Sequence, residues 1–294
     1  MQKFSEYRRM MSAQAQPVLR AALAQQPDDD SVLLGAPAAA QLLEHERAQD
    51  ARFVESFRAL SRLGKLADPP HLADPGGHRR AIYHPLVLHL HLAAFGKLYE
   101  VLEGANWSSC EDAIPGAVEP ARACEEYTDA PPPAQVTDVM LWQALCILEQ
   151  AVLLKRDIDA EWADGVVHQV VNRPGPGDSL HPQTQGESLD AWTFRELCGL
   201  HALANLALLM KRPAWGQRVR QVAEYHQQRT QPDHVTTQPW GFFAFACRAE
   251  TRDFAEQQLH DAKAQGGTDA VTALLLADGA WAIDQHSLNP KGLP

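Results

Sequence analysis

Residues 190–210 read DAWTFRELCGLHALANLALLM, and this stretch decides the fold. A helix drawn through it is apolar on all sides, and such a helix belongs in a protein interior. Three other stretches share this character: 137–154, 239–247 and 268–283. Three further stretches lie between them and have one polar face: 157–171, 215–228 and 253–264. The alternation predicts an all-α protein in which buried helices are covered by amphipathic ones.

The amino-acid composition indicates a globular protein and disfavours some classes of partner. The chain has 294 residues, of which 45% are hydrophobic and 21% charged, as in ordinary globular proteins. Its 26 Lys and Arg against 37 Asp and Glu give a net charge of −11, which disfavours nucleic acid and anionic membranes as partners. No apolar run reaches the roughly 18 residues of a membrane span. Five cysteines without a CxxC pair indicate a reduced, cytoplasmic protein.

The first half of the chain is less regular. Helical patterns cover residues 4–24, 38–63 and 84–102, and a turn-rich segment, 65–80, contains Asp-Pro and Gly-Gly dipeptides. Residues 104–135 predict a long acidic loop, either a lid or a linker. We expect residues 1–64 to add helices to a main domain formed by residues 65–294.

The second half repeats itself. Trp142, Trp192 and Trp240 stand near the start of successive buried stretches, at steps of 50 and 48 residues. The tetrapeptide LLKR at 153–156 returns as LMKR at 209–212. A period of about 50 residues predicts a helical-hairpin repeat, with chance similarity between Ala/Leu-rich helices as the alternative. Inner helices that are apolar all round favour closure of the hairpins into a ring over an open solenoid.

This pattern resembles the α/α-toroid superfamily, which includes terpenoid cyclases, protein prenyltransferase β-subunits and polysaccharide lyases. The resemblance covers residues 80–285 and implies an α/α toroid with inner and outer helix layers. The superfamily's catalytic motifs are not matched. The nearest sequence to the cyclase Asp-x-Asp-Asp signature is the Asp-Asp-Asp run at 28–30. The prenyltransferase zinc site uses an Asp-x-Cys motif, and no cysteine of this chain has an Asp two residues before it. The resemblance therefore implies a fold and carries no activity.

In such a ring the amino ends of the inner helices meet at one mouth, where unpaired N–H groups and helix dipoles favour polar ligands. Two polar loops, 172–190 and 229–240, enter these helices. Either Asp233 or His234, together with His181, could act there as general acid and base. We therefore predict a ligand pocket at the amino ends of the inner helices.

The predicted ligand-binding residues at this mouth are Trp142, Asp190, Trp192, Arg195, Glu196, Thr236, Thr237, Gln238 and Trp240. Each has a structural alternative. The tryptophans are core residues, the acidic residues at 138 and 190 are helix N-caps, and the polar residues at 236–238 satisfy a turn. Arg195 and Glu196 fall within a buried helix, so each is expected to have a partner or to face the central opening. His201 and Asn205 are expected to form a buried hydrogen-bonded pair.

No cofactor is predicted. The glycines of residues 173–178 lack a phosphate-loop pattern. His89 and His91 face different sides of a helix, and Cys198 with His201 lacks further ligands at metal-binding spacing.

Three functions remain open. The first is an enzyme that acts on a carbohydrate or other small polar substrate by acid–base chemistry. The second is a non-catalytic helical-repeat binding or scaffolding protein with an exposed apolar patch. The third is a binder of a hydrophobic, isoprenoid-like ligand in the central funnel.

Overall fold

The computed structural model describes residues 2–24, 33–43, 51–62, 75–99, 136–155, 160–172, 179–183, 185–230, 236–264 and 269–288. These residues form helices joined by turns, and they contain no β-strand. The prediction of an all-α protein is confirmed. Within these ranges, no helix has the length and apolar character needed to cross a membrane.

The helices in chain order are α1 (Gln2–Ala24), α2 (Gly35–Leu43), α3 (Ala51–Arg62), α4 (Pro75–Tyr99), α5 (Asp138–Leu154), α6 (Ala160–Val171), α7 (Leu189–Met210), α8 (Pro213–Tyr225), α9 (Phe242–Ala246), α10 (Arg252–Ala264) and α11 (Ala270–Leu288). One turn of π-helix, His226–Thr230, continues α8.

Two boundaries in the first half differ from the sequence prediction. The pattern at 38–63 corresponds to two helices, α2 and α3, with residues 44–50 outside the described part. Helix α4 begins at Pro75, inside the predicted turn segment. Proline is favoured in the first turn of a helix because its missing N–H would have no partner there, so this proline starts a helix and does not extend the loop. The predicted loop at 104–135 lies outside the described residues.

Buried and half-buried helices alternate in the second half. Helix α7 is buried over most of its length, and all five residues of α9 are buried. Residues 271–280 of α11 are likewise buried. In contrast, α6, α8 and α10 bury one face and leave the other in water. The apolar periodicity of each stretch therefore fixes how much of its surface is covered.

Hydroxyl side chains cap the two long buried helices. Thr137 accepts a hydrogen bond from the Met140 N–H at the start of α5, and Ser188 accepts one from the Ala191 N–H at the start of α7. The predicted caps at 138 and 190 are therefore wrong. Asp138 and Asp190 lie in the first helical turn, where a carboxylate interacts favourably with the helix dipole.

The repeated tetrapeptides have the same structural role. Lys155 and Lys211 are both in the left-handed conformation, with φ of 51° and 52°. Each is the C-cap residue of a buried helix, and its N–H donates to the carbonyl of Ala151 or Ala207. LLKR and LMKR thus mark the points where α5 and α7 end.

The helices pack in two sets. Contacts link α4 to α5, α5 to α7, α7 to α9, α9 to α11, α11 to α2 and α2 to α4. The amphipathic helices pack on these: α6 on α5, α8 on α7, α10 on α9, and α1 on α11 and α2. Polar contacts tie α1 to its neighbours, since Arg8 pairs with Asp284 and Tyr7 donates to Glu256. This packing places polar residues of α4, α5, α7 and α11 against one another.

Candidate functional site

Four buried helices contribute to one polar cluster, which we call the central network: His89, Glu149, His201, Asn205 and Asp278. His89 of α4 lies at its centre. Its Nδ1 is 2.7 Å from Glu149 Oε1, and its Nε2 is 2.9 Å from Asp278 Oδ1. One imidazole therefore joins two carboxylates in the protein interior.

Asp278 accepts further hydrogen bonds from α7. His201 Nε2 lies 2.5 Å from Asp278 Oδ2, and the Asn205 amide donates to the same oxygen over 2.9 Å. His201 Nδ1 accepts the N–H of Gly241 over 3.1 Å, so the proton of a neutral ring resides on Nε2 and points at Asp278. Gly241 has a φ of 70°, a conformation that glycine adopts without steric cost.

Burial and neighbouring charges shift the pKa values of three members of the network. Burial alone would lower the pKa of His89, but the Glu149 and Asp278 carboxylates raise it to about 10, so the ring is an imidazolium. Burial would raise the pKa of Asp278, yet the charge of His89 and the hydrogen bonds from His201 and His89 hold it well below its usual range. Burial raises the pKa of Glu149, an effect that His89 partly offsets.

His91 lies two residues from His89 and has the opposite state. It stacks on Phe53 with ring centroids 5.6 Å apart, and its Nε2 is 2.9 Å from Ser56 Oγ. Burial without a carboxylate partner lowers the pKa of His91 to about 4. The two histidines face different sides of α4, as the sequence predicted, and only His89 belongs to the central network.

Tryptophans enclose the network on one side. Trp142 stacks on His201 with ring centroids 5.5 Å apart, and Trp240 meets both rings edge-on. Both indoles are fully buried, and their N–H groups donate to Cys198 O and Gln238 Oε1. These rings shield the network from water and have their polar groups satisfied.

A cavity of about 180 Å³ opens beside the central network. Its apolar walls include Leu92, Val152, Leu153, Leu208, Leu209 and Trp281. His89, Glu149 and Asn205 form its polar part, and Lys97 and Gln285 also line it. Lys97 donates to the carbonyls of Gln41 and Leu42 at the end of α2, and its Nζ is 6.0 Å from the centre of the Trp281 ring.

The cavity lies at the carboxyl ends of the buried helices. Its lining residues come from the last turns of α4, α5, α7 and α11, so these four helices run in the same direction. The sequence prediction places a pocket at the other, amino ends of these helices, and that pocket stays a prediction.

Glu149 is a polar residue of the cavity with capacity left to bind. Its Oε1 is engaged by His89, whereas its buried Oε2 has no hydrogen-bond partner among the described residues. A buried acceptor without a donor costs about 1–3 kcal/mol, and more when it is charged. A molecule in the cavity could supply the missing donor.

At the amino end of α7, the structure brings together three of the predicted site residues: His181, Trp192 and Glu196. Glu196 is fully buried and accepts hydrogen bonds from the N–H groups of Leu180 and His181 and from His226 Nε2. Trp192 Nε1 donates to the His181 carbonyl over 3.0 Å. Burial would raise the pKa of Glu196, but the hydrogen bond from His226 and the nearby imidazoles hold it below its usual value.

Arg195 is half-buried and paired as expected, since its guanidinium donates to both carboxylate oxygens of Glu187. Glu196 and Arg195 thus both satisfy the prediction that buried charges in this helix have partners.

A second group of predicted residues meets around Trp240, which contacts the Trp142 ring and donates to Gln238 Oε1. Asp190 and Thr237 are exposed, and Thr236 Oγ1 accepts the Gln238 N–H in a turn. Asp233 and His234 lie outside the described residues, so the proposed acid–base pair stays a prediction.

The sequence analysis missed three members of the central network: His89 as a ligand-site residue, Glu149 and Asp278. A usable signal was present. Glu149 and Asp278 are the single carboxylates of two stretches that are mostly apolar, ALCILEQAVLL and ALLLADGAWAI. The argument applied to Arg195 and Glu196, that a buried charge needs a partner, applies to them equally.

Two further observations limit the functions considered above. Within the described ranges, Val152 and Leu189 are the large apolar side chains that stay exposed, which gives no support to a broad apolar docking patch. In the same ranges, no three His, Cys, Asp or Glu side chains are grouped to hold a metal ion. No protein-family model, curated protein or solved structure matches this chain.

Proposed function

We propose that this protein binds a small, largely apolar molecule in the cavity beside the central network. The observation that carries the proposal is a cavity of about 180 Å³ whose walls are aliphatic and aromatic and whose polar groups cluster on one part. Ligand sites in proteins typically combine apolar walls with a few placed polar groups. A cavity of about 150 Å³ holds a molecule of the size of benzene, so this one fits a ring or chain of roughly six to eight non-hydrogen atoms.

The cavity favours this function over the two alternatives. A carbohydrate needs many hydrogen-bonding partners, and the aliphatic walls offer none. A scaffolding role needs an exposed apolar surface, which the described residues do not supply beyond Val152 and Leu189.

The proposal includes an architecture. We propose that α2, α4, α5, α7, α9 and α11 form the inner layer of an α/α toroid with hairpin repeats, because each contacts the next and α11 contacts α2. The cavity would then be the carboxyl-end opening of the ring. The buried free thiols of Cys146 and Cys198 support a reducing, cytoplasmic setting.

The test is a cavity-filling substitution. Ala93 lines the cavity, and Ala93→Leu adds three carbon atoms to its wall. Ala214, on the exposed side of α8, provides the matched control Ala214→Leu. Binding of cyclohexanol is measured by isothermal titration calorimetry and by the shift in Tm.

We expect wild type and Ala214→Leu to bind cyclohexanol equally and Ala93→Leu to bind it at least about tenfold more weakly, because displaced apolar contact of this size is worth about 1.5 kcal/mol or more. Equal binding by all three proteins, or none by wild type to any ring-sized probe, would refute the proposal.

A further inference from the structure

The central network contains more carboxylate than cation. Asp278 and Glu149 are both buried carboxyl groups, and His89 lies between them as a single imidazolium. His201 directs its Nε2 at Asp278, and its Nδ1 accepts the Gly241 N–H.

Within the network, both carboxylate oxygens of Asp278 accept hydrogen bonds. His89, His201 and Asn205 all donate to its two oxygens. The charge of His89 is close to both carboxylates, but its two N–H groups leave one oxygen of Glu149 without a donor. That atom is Oε2, and it is buried with no hydrogen-bond partner among the described residues.

Glu149, whose Oε2 lacks a donor, is also a residue of the cavity wall. The side chain is about nine-tenths buried, with 9% of its surface exposed, and the residue lines the cavity. Lys97, a further charged residue on the wall, donates to two carbonyls at the end of α2. A molecule in the cavity could supply the donor that Oε2 lacks.

From this arrangement we infer that the ligand carries a protonated amine, which donates to Glu149 Oε2 while its hydrocarbon part lies against Leu208, Leu209 and Trp281. An ammonium group supplies both the missing hydrogen bond and the missing positive charge. A hydroxyl supplies the hydrogen bond alone, and a carboxylate supplies neither. The substrate or ligand class is thus a small aliphatic or cyclic amine. This inference rests on the proposed function.

Three saturated-ring probes with the same number of non-hydrogen atoms separate the alternatives: cyclohexylamine, cyclohexanol and cyclobutanecarboxylate. Their affinities for the full chain at pH 7 are measured by calorimetry and by ligand-observed NMR. The ammonium and the hydroxyl can both donate to Glu149, but only the ammonium places a positive charge beside the carboxylate. We therefore expect cyclohexylamine to bind about tenfold more tightly than cyclohexanol, and cyclobutanecarboxylate to bind weakest.

The variant Glu149→Gln keeps the shape of the side chain and removes its charge. We expect it to lose the preference for amine over alcohol while still binding cyclohexanol. The control Glu161→Gln, at an exposed position on α6, should behave as wild type. If Glu149→Gln fails to fold, the order of the three probes on wild type still decides the question.

The outcomes are distinguishable. Equal binding of amine and alcohol, or tighter binding of the carboxylate, overturns the amine inference and leaves the proposed cavity function intact. Failure of all three probes to bind wild type overturns both. A preference for amine that persists in Glu149→Gln overturns the assignment to Glu149.

Discussion

The substitution Asp278→Asn removes one charge from the centre of the fold with almost no change in shape. Asp278 is fully buried and accepts hydrogen bonds from His89, His201 and Asn205. The replacement cannot accept all three, because one of its two polar atoms is an NH₂ group that would face a donor. The imidazolium of His89 would keep a single carboxylate partner.

The magnitude follows from the charge states. Burial lowers the pKa of His89, and Glu149 and Asp278 outweigh burial. The net rise from 6.5 to about 10 corresponds to a net stabilisation of the charged ring of about 5 kcal/mol. Asp278 is assigned half of this energy, and the lost hydrogen bond to a charged group is added to it. The sum agrees with the roughly 3–5 kcal/mol that is lost when one partner of a buried ion pair is removed. We therefore expect Asp278→Asn to reduce the free energy of unfolding by about 3–5 kcal/mol at pH 7.

The assay is denaturant unfolding followed by circular dichroism, with Asp284→Asn as the matched control. Asp284 lies on the same helix and pairs with Arg8, but a third of its side chain is exposed, so its loss should cost less than about 1 kcal/mol. NMR titration gives a second readout, in which the pKa of His89 falls in Asp278→Asn alone. The reasoning is refuted if the two variants are equally stable, or if the pKa of His89 does not move.

Two other predictions test the charge assignments. Because the pKa of His89 is raised by folding, its stabilisation is fully present below pH 6.5 and is lost as the pH rises through about 10. Urea unfolding between pH 6.5 and 10 should show this decline, and a flat profile would contradict it. At the amino end of α7, Glu196→Gln should cost about 2–3 kcal/mol in the same assay, because an amide cannot accept from two backbone N–H groups and His226 together. The exposed Glu161→Gln should change stability by less than about 0.5 kcal/mol, and an equal loss in both variants would remove the structural role given to Glu196.

Local pattern was sufficient for much of the fold. The apolar periodicity of residues 190–210 predicted a fully buried helix, and α7 spans Leu189–Met210. Capping was predicted one position off at α5 and two off at α7, because Thr137 and Ser188 compete with the neighbouring aspartates for the same backbone N–H groups. Such choices depend on the local backbone conformation, which the sequence constrains only to within a residue or two.

The candidate site was predicted less well. Arg195 and Glu196 were expected to have partners, and Glu187 and His226 are those partners. Nothing in the sequence indicates which end of the helices holds a cavity. Helix dipoles favour anions at the amino ends, but a cavity depends on the sizes of side chains that meet from several helices.

The sequence by itself determined that this chain is helical and which helices are buried, because both depend on side chains within a few turns of one another. Only the tertiary structure decided which polar groups meet. His89 is 60 residues from Glu149 and 189 residues from Asp278, and no local pattern records those separations. Their contact arises from the packing of α4, α5 and α11, and that packing turns three costly buried charges into one network beside a cavity.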